Sequence, residues 1–207
     1  MIIGKWNKSV ILTYIGLCFG ILGMFFVFAS ENILYAFSCL LVAGVCDLFD
    51  GVIARKCKRT KEEKLFGIEL DSLVDVFNFI ALPIAILFGM NFNYWYCILV
   101  YMFFAVVGVA RLAYFNISLE EENKNKNIPI KYYSGLPVTY IAMILPVAHL
   151  LTYCFGFFSN SIYYMFIMLM TGILNILNIK IKKPTGLAYP ILLIMAIITL
   201  ILFLGVL

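Results

Sequence analysis

The chain has 207 residues, 64% of them hydrophobic and 13% charged, with a mean hydropathy of +1.04. Soluble domains run at roughly 45–50% apolar and about 25% charged, so this composition excludes both an ordinary cytosolic globule and a disordered chain. Fifteen basic against eleven acidic residues leave a net charge of +4, too small for a nucleic-acid binder.

In chain order, the first apolar run is Val10 to Ala29, preceded by Lys5 and Lys8. Val27-Phe28-Ala29 offers a cleavage site, but 20 residues exceed the roughly 7–15 of a signal h-region and suffice to cross a hydrocarbon core of about 30 Å. The run reads as a retained helix, with Gly16 and Gly20 marking a closely packed face. Ile33 to Val45 and Val76 to Gly89 come next. Each is too short to span unless it extends through adjacent polar residues, to about Arg55 and from about Gly67. Tyr94 to Ala110, Leu136 to Phe158, Ile162 to Ile179 and Ala188 to Leu207 complete seven candidate spans, the fifth interrupted by Pro137 and Pro146. The predicted fold class is an all-α polytopic membrane bundle of six to seven transmembrane helices, because a helix satisfies its own backbone in lipid.

With the N-terminus in the cytoplasm, alternation places Lys5 and Lys8, the Arg55–Lys64 loop, the Asn116–Tyr133 loop and the Lys180–Lys183 loop on one side. The outer connections, Ser30 to Asn32, Met90 to Asn93 and Gly156 to Ser161, hold no basic residue. This is the positive-inside distribution, with Tyr94, Trp95 and Tyr96 as anchors at the opposite interface.

Cys18, Cys39, Cys46, Cys57, Cys97 and Cys154 show no metal-ligand spacing, and five lie in apolar segments, where they read as small buried hydrophobes. His149, between apolar residues, reads as packed or hydrogen-bonded. The run Glu120 to Lys126 reads as a solvated connector.

All four aspartates lie within 29 residues, at the same ends of the second and third spans. Asp47, Asp50 and Ala54 are spaced by three and four, and Gly67, Asp71 and Asp75 by four and four, so each set forms one helical stripe. Facing stripes on antiparallel helices bring four carboxylates around one point, where all-oxygen ligands suit Mg²⁺, Mn²⁺ or Ca²⁺ rather than zinc. Gly51 and Gly67 leave room for a backbone or phosphate, and Arg55 supplies a guanidinium for a phosphate oxygen. Such a set describes metal-assisted phosphoryl chemistry. The competing readings are solvated helix caps, a non-catalytic scaffold and a cation-coupled membrane transporter. A transporter predicts broken helices at the midplane and repeated halves, and no repeat is visible.

These residues resemble the signature of the CDP-alcohol phosphatidyltransferase family, DxxDGxxAR followed by GxxxDxxxD. Asp47, Asp50, Gly51, Ala54, Arg55, Gly67, Asp71 and Asp75 fill every signature position. The resemblance implies one transmembrane catalytic domain over residues 1–207, about six core helices and a homodimer. It implies transfer of a phosphatidyl group from CDP-diacylglycerol to an alcohol with release of CMP, at the cytoplasmic face of the cell membrane. Asp47, Asp50 and Asp71 would hold a pair of Mg²⁺ or Mn²⁺ ions, with Asp75 sharing in metal binding or acting as general base. Asp47, Asp50, Gly51, Ala54, Arg55 and Gly67 would form the CDP site.

Gly67 to Asp75, with Phe79 and Pro83 downstream, looks like the phosphatidylserine synthase branch, as do Arg111 to Asn116 and Tyr133 to Pro137. L-serine is therefore the expected acceptor, ahead of glycerol phosphate or inositol phosphate. Arg111, embedded in an apolar span, suits one carboxylate, with Lys131 as a supplement; the alternative for Arg111 is a snorkelling helix-end residue. Two departures stand out. Leu12 to Gly16 lacks an asparagine that many relatives carry near Gly16, so any contact from that amide is missing. The gap between Arg55 and Gly67 is long, and its Lys56, Lys58, Arg59, Lys61 and Lys64 read by default as a solvated positive-inside loop, with attraction of anionic headgroups or CDP phosphates as the functional alternative.

Overall fold

A computed structural model describes residues 4–124, 132–155, 160–182 and 188–206. Among them run seven helices: α1 Ile11–Phe28, α2 Ile33–Lys56, α3 Lys61–Gly89, α4 Trp95–Lys124, α5 Ile141–Phe155, α6 Ser161–Ile176 and α7 Ala188–Val206. Two three-residue strands, β1 Tyr132–Ser134 and β2 Lys180–Lys182, pair antiparallel with Tyr133 opposite Ile181. The protein is thus a polytopic helical membrane bundle carrying one short ribbon. Four helices are long and apolar enough to cross a bilayer by themselves, α1 with its leading turn from Lys8, α2, α3 and the Trp95–Ser118 part of α4; the other three are shorter apolar helices.

Local chemistry sets the ends of these helices. Asn7 accepts a hydrogen bond from Ser9 N at 3.2 Å and opens the turn that feeds α1. Asn32 accepts from Tyr35 N and caps α2, which ends on Arg55 and Lys56, cations that complement the C-terminal dipole. The Thr60 and Glu63 side chains bond each other's backbone N–H at 3.2 and 2.7 Å, a capping box. That box starts α3 at Lys61, six residues before the Gly67 expected from hydropathy, because capping rather than apolar length nucleates it.

α3 is α-helical to Asp75, widens into a π-helical turn over Val76–Ala81, and resumes as an α-helix over Leu82–Gly89. Pro83 has no N–H to give the Phe79 carbonyl, and the wider turn absorbs that mismatch. α4 likewise overruns its expected apolar segment and continues through part of the charge run to Lys124.

The core gathers Phe37 and Leu40 of α2, Phe79 and Ile86 of α3, Phe104 of α4, Ile141 and Leu145 of α5 and Tyr164 and Met168 of α6. α1 lies close against this core: a Cβ at Gly16 would stand 3.3 Å from Cys46 Cβ, and one at Gly20 3.1 Å from Asn78 Cγ. Cys39, Cys46 and Cys97 are buried as expected. Cys18 is exposed on α1, a correction that follows from the solvent being lipid, where an apolar residue on the outer face costs nothing. His149 Nδ1 bonds the Tyr164 hydroxyl at 2.7 Å, and its ring stacks on Phe37. Tyr94 and Trp95 are exposed, with Tyr94 stacked on Tyr96.

The described parts of the basic connections share one end of the bundle. Lys5 Nζ pairs with Glu62 at 2.6 Å, and Asn7 Nδ2 donates to Glu63 Oε1 at 2.9 Å, tying the N-terminal segment to the start of α3. Ser72 Oγ donates to Asn116 Oδ1 at 3.0 Å, bringing the far part of α4 to the same level. The ribbon joins the α4–α5 and α6–α7 connections to each other. Gly135 just beyond it, at φ +78, lies so close to α6 that a Cβ would stand 2.5 Å from the Asn175 carbonyl oxygen.

Candidate active site

α2 and α3 run antiparallel through the short connection after Lys56, so their acidic stripes meet. Asp47, Asp71 and Asp75 each present a carboxylate oxygen, and these lie within 4.8 Å of one another. Asp50 faces Asp71, and Asp47 faces Asp75. Asp50 and Asp75 are buried, while Asp47 and Asp71 remain half-exposed and form the open side. Asp47 also lines a small, mainly apolar cavity between α2, the Thr139–Tyr140 turn and Leu192 of α7.

Four carboxylates at membrane depth repel one another and lose hydration, so they need cations. Arg111 of α4 is buried, lies over the Phe115 ring with Cζ 5.1 Å from its centroid, and exerts its charge on Asp47 and Asp75. One guanidinium does not match four carboxylates. Hard divalent ions take oxygen ligands at about 2.0–2.6 Å, so oxygens on opposite sides of an ion stand roughly 4–5 Å apart. The spacing of Asp47, Asp71 and Asp75 fits that requirement, and Asp50 adjoins them.

The remaining signature residues lie within four or five positions of these acids along α2 and α3. A Cβ at Gly51 would stand 4.0 Å from Arg55 Nη1, and one at Gly67 3.8 Å from Arg59 Nη1. Ala54, one turn beyond Asp50, is half-buried and Arg55 is exposed. Lys131 lies outside the described residues.

One contributor escapes the signature. Thr13 Oγ1 donates to Asp50 Oδ2 at 3.0 Å, and both residues are buried. The segment read as lacking an amide contact near Gly16 therefore still reaches the site, through a hydroxyl one turn earlier. A threonine in an otherwise apolar helix, at the depth of the acids, is the signal that marks it.

Fold and site together define an integral-membrane helix bundle with a cluster of aspartates that could hold a metal ion. The chain belongs to the CDP-alcohol phosphatidyltransferase family, whose sequence pattern matches residues 6–206. Within it, the chain is 37% identical over 112 residues to a CDP-diacylglycerol–serine O-phosphatidyltransferase of Saccharomyces cerevisiae, covering 53% of this chain and 40% of the yeast protein. It is 30% identical over 164 residues to the Helicobacter pylori protein of the same name, covering 77% and 66%. To an archaetidylserine synthase of Methanothermobacter thermautotrophicus it is 31% identical over 148 residues, covering 71% and 58%. The chain thus spans between two fifths and two thirds of the length of these relatives.

Proposed function

We propose that the protein transfers the phosphatidyl group of CDP-diacylglycerol to L-serine, giving phosphatidylserine and CMP. The observation that carries the reading is the convergence of Asp47, Asp71 and Asp75, from two helices, on a point each reaches with one oxygen. Serine as acceptor is supported by the names of the yeast and Helicobacter relatives.

In the proposed reaction the serine hydroxyl oxygen bonds to the β-phosphorus of the CDP-lipid, the bond from that phosphorus to the CMP oxygen breaks, and CMP leaves. Asp47, Asp50 and Asp71 would hold a pair of Mg²⁺ or Mn²⁺ ions, with Asp75 adjoining them. When bound, the metal polarises the phosphates and stabilises the departing CMP. Asp75, buried against Asp47, accepts the hydroxyl proton. Gly51, Ala54, Arg55 and Gly67 face the CDP moiety. Arg111 holds the serine carboxylate in its fork, a role supported by its burial beside Asp47 and Asp75. The site faces the cytoplasm, since the basic connections gather at its end, and the family resemblance extends the proposal to a homodimer.

The test is CMP release by the purified protein in proteoliposomes given CDP-diacylglycerol, Mn²⁺ or Mg²⁺, and serine, glycerol 3-phosphate or inositol phosphate in turn. Release dependent on serine is expected. Release driven by another alcohol overturns serine as acceptor, and no release with any of them overturns the reaction class.

A further inference from the structure

Two signature glycines each have a guanidinium nearby, Arg55 Nη1 at 4.0 Å from a Gly51 Cβ and Arg59 Nη1 at 3.8 Å from a Gly67 Cβ. Arg55 is a signature residue. Arg59 is not; it stands in the connection between α2 and α3, immediately before the Thr60 cap. Its side chain runs along α3 instead of outward, and its Nε is shielded from solvent with no hydrogen-bond partner among the described residues. The acids nearest in sequence are engaged elsewhere. Glu62 pairs with Lys5, and Glu63 bonds Thr60 and Asn7. The guanidinium is therefore charged, partly desolvated and uncompensated among the described residues, and it lies against Gly67, about 6 Å or one helical turn before Asp71 along α3. Its loop neighbours Lys58, Lys61 and Lys64 are exposed, and nothing else singles them out.

A desolvated guanidinium without a partner calls for an anion, and a planar fork of donors matches phosphate oxygens. We infer that Arg59 is a second nucleotide-contacting arginine, binding the diphosphate of the CDP moiety from the α3 side while Arg55 approaches from α2. This rests on the reading that the cleft takes a CDP-lipid. The basic loop thus contains one residue that recognises substrate among several that set a general field.

Equilibrium binding of CDP and of cytidine to the full chain tests this, in nanodiscs of phosphatidylcholine with Mn²⁺, alone and with added phosphatidylglycerol. Wild-type protein binding CDP upholds the underlying reading; no CDP binding overturns that reading and this inference with it. Given wild-type binding, Arg59→Gln should weaken CDP by about 10-fold or more, the loss of a charge-assisted bond. Cytidine affinity should stay unchanged, which also shows an intact site. Arg59→Lys should recover part of the loss, and Lys58→Gln, removing the same charge from an exposed neighbour, should leave both ligands unaffected. Equal CDP binding by wild type and Arg59→Gln overturns the role of Arg59 alone. So does an equal loss in Lys58→Gln, or a loss that appears only with phosphatidylglycerol, which would make the arginine a lipid-headgroup contact.

Discussion

The Thr13 hydroxyl donates to the Asp50 carboxylate at 3.0 Å across 37 residues of chain, so α1 supports a site whose acids all come from α2 and α3. Outer partners of metal-holding carboxylates typically contribute about 10–100-fold in metal affinity. Thr13→Val should raise the Mn²⁺ concentration for half-maximal CMP release about tenfold, while Thr13→Ser keeps it near wild type. An unchanged Mn²⁺ titration in Thr13→Val would show the bond to be only structural.

Asp47→Asn and Asp71→Asn should each remove CMP release by more than the ~10–100-fold typical of an outer-sphere change. EDTA should abolish release in the wild type and Mn²⁺ should restore it. Each variant also removes one of four mutually repelling charges, so in EDTA it should melt at a higher temperature than the wild type. Thermal unfolding in detergent checks this second point without any assay of turnover.

Arg111→Gln should raise the KM for serine about tenfold or more, as expected when a charged hydrogen-bond partner is lost, with the KM for CDP-diacylglycerol little changed. The same variant should lower the melting temperature in EDTA, because Asp47 and Asp75 lose a nearby cation. A rise confined to the CDP-diacylglycerol KM would move Arg111 to the other substrate.

Gly135→Ala should destabilise the protein without touching the chemistry. At φ +78, with the Asn175 carbonyl oxygen 2.5 Å from the new Cβ, a side chain is both strained and crowded. A cost of about 1–3 kcal/mol is expected, read as a lower unfolding midpoint with an unchanged KM for serine.

The acidic site was legible because Asp47, Asp50, Asp71 and Asp75 obey helical spacing inside apolar runs, where a charge is conspicuous. The extent of α3 was less so: the stretch from Lys61 to Gly67 is polar, and its helicity comes from the Thr60–Glu63 capping box. Exposure of Cys18 could not be read from hydropathy, since the lipid-facing and core-facing sides of α1 are both apolar. The β1–β2 ribbon left no trace, because three-residue strands carry no period. Thr13 and Arg59 owe their positions to tertiary placement, one across a helix contact and the other by laying a long side chain along α3.

The length of α3 also works as a depth gauge. Twenty-nine residues from Lys61 to Gly89 measure about 43 Å, some 13 Å more than a hydrocarbon layer of about 30 Å. With Gly89 at the far boundary, roughly the first nine residues stand among the headgroups, and Asp71 falls near the level where acyl chains give way to phosphates. The lipid diphosphate of the proposed substrate would then meet the carboxylates at the height it already occupies in the leaflet, and its tails need not leave the bilayer.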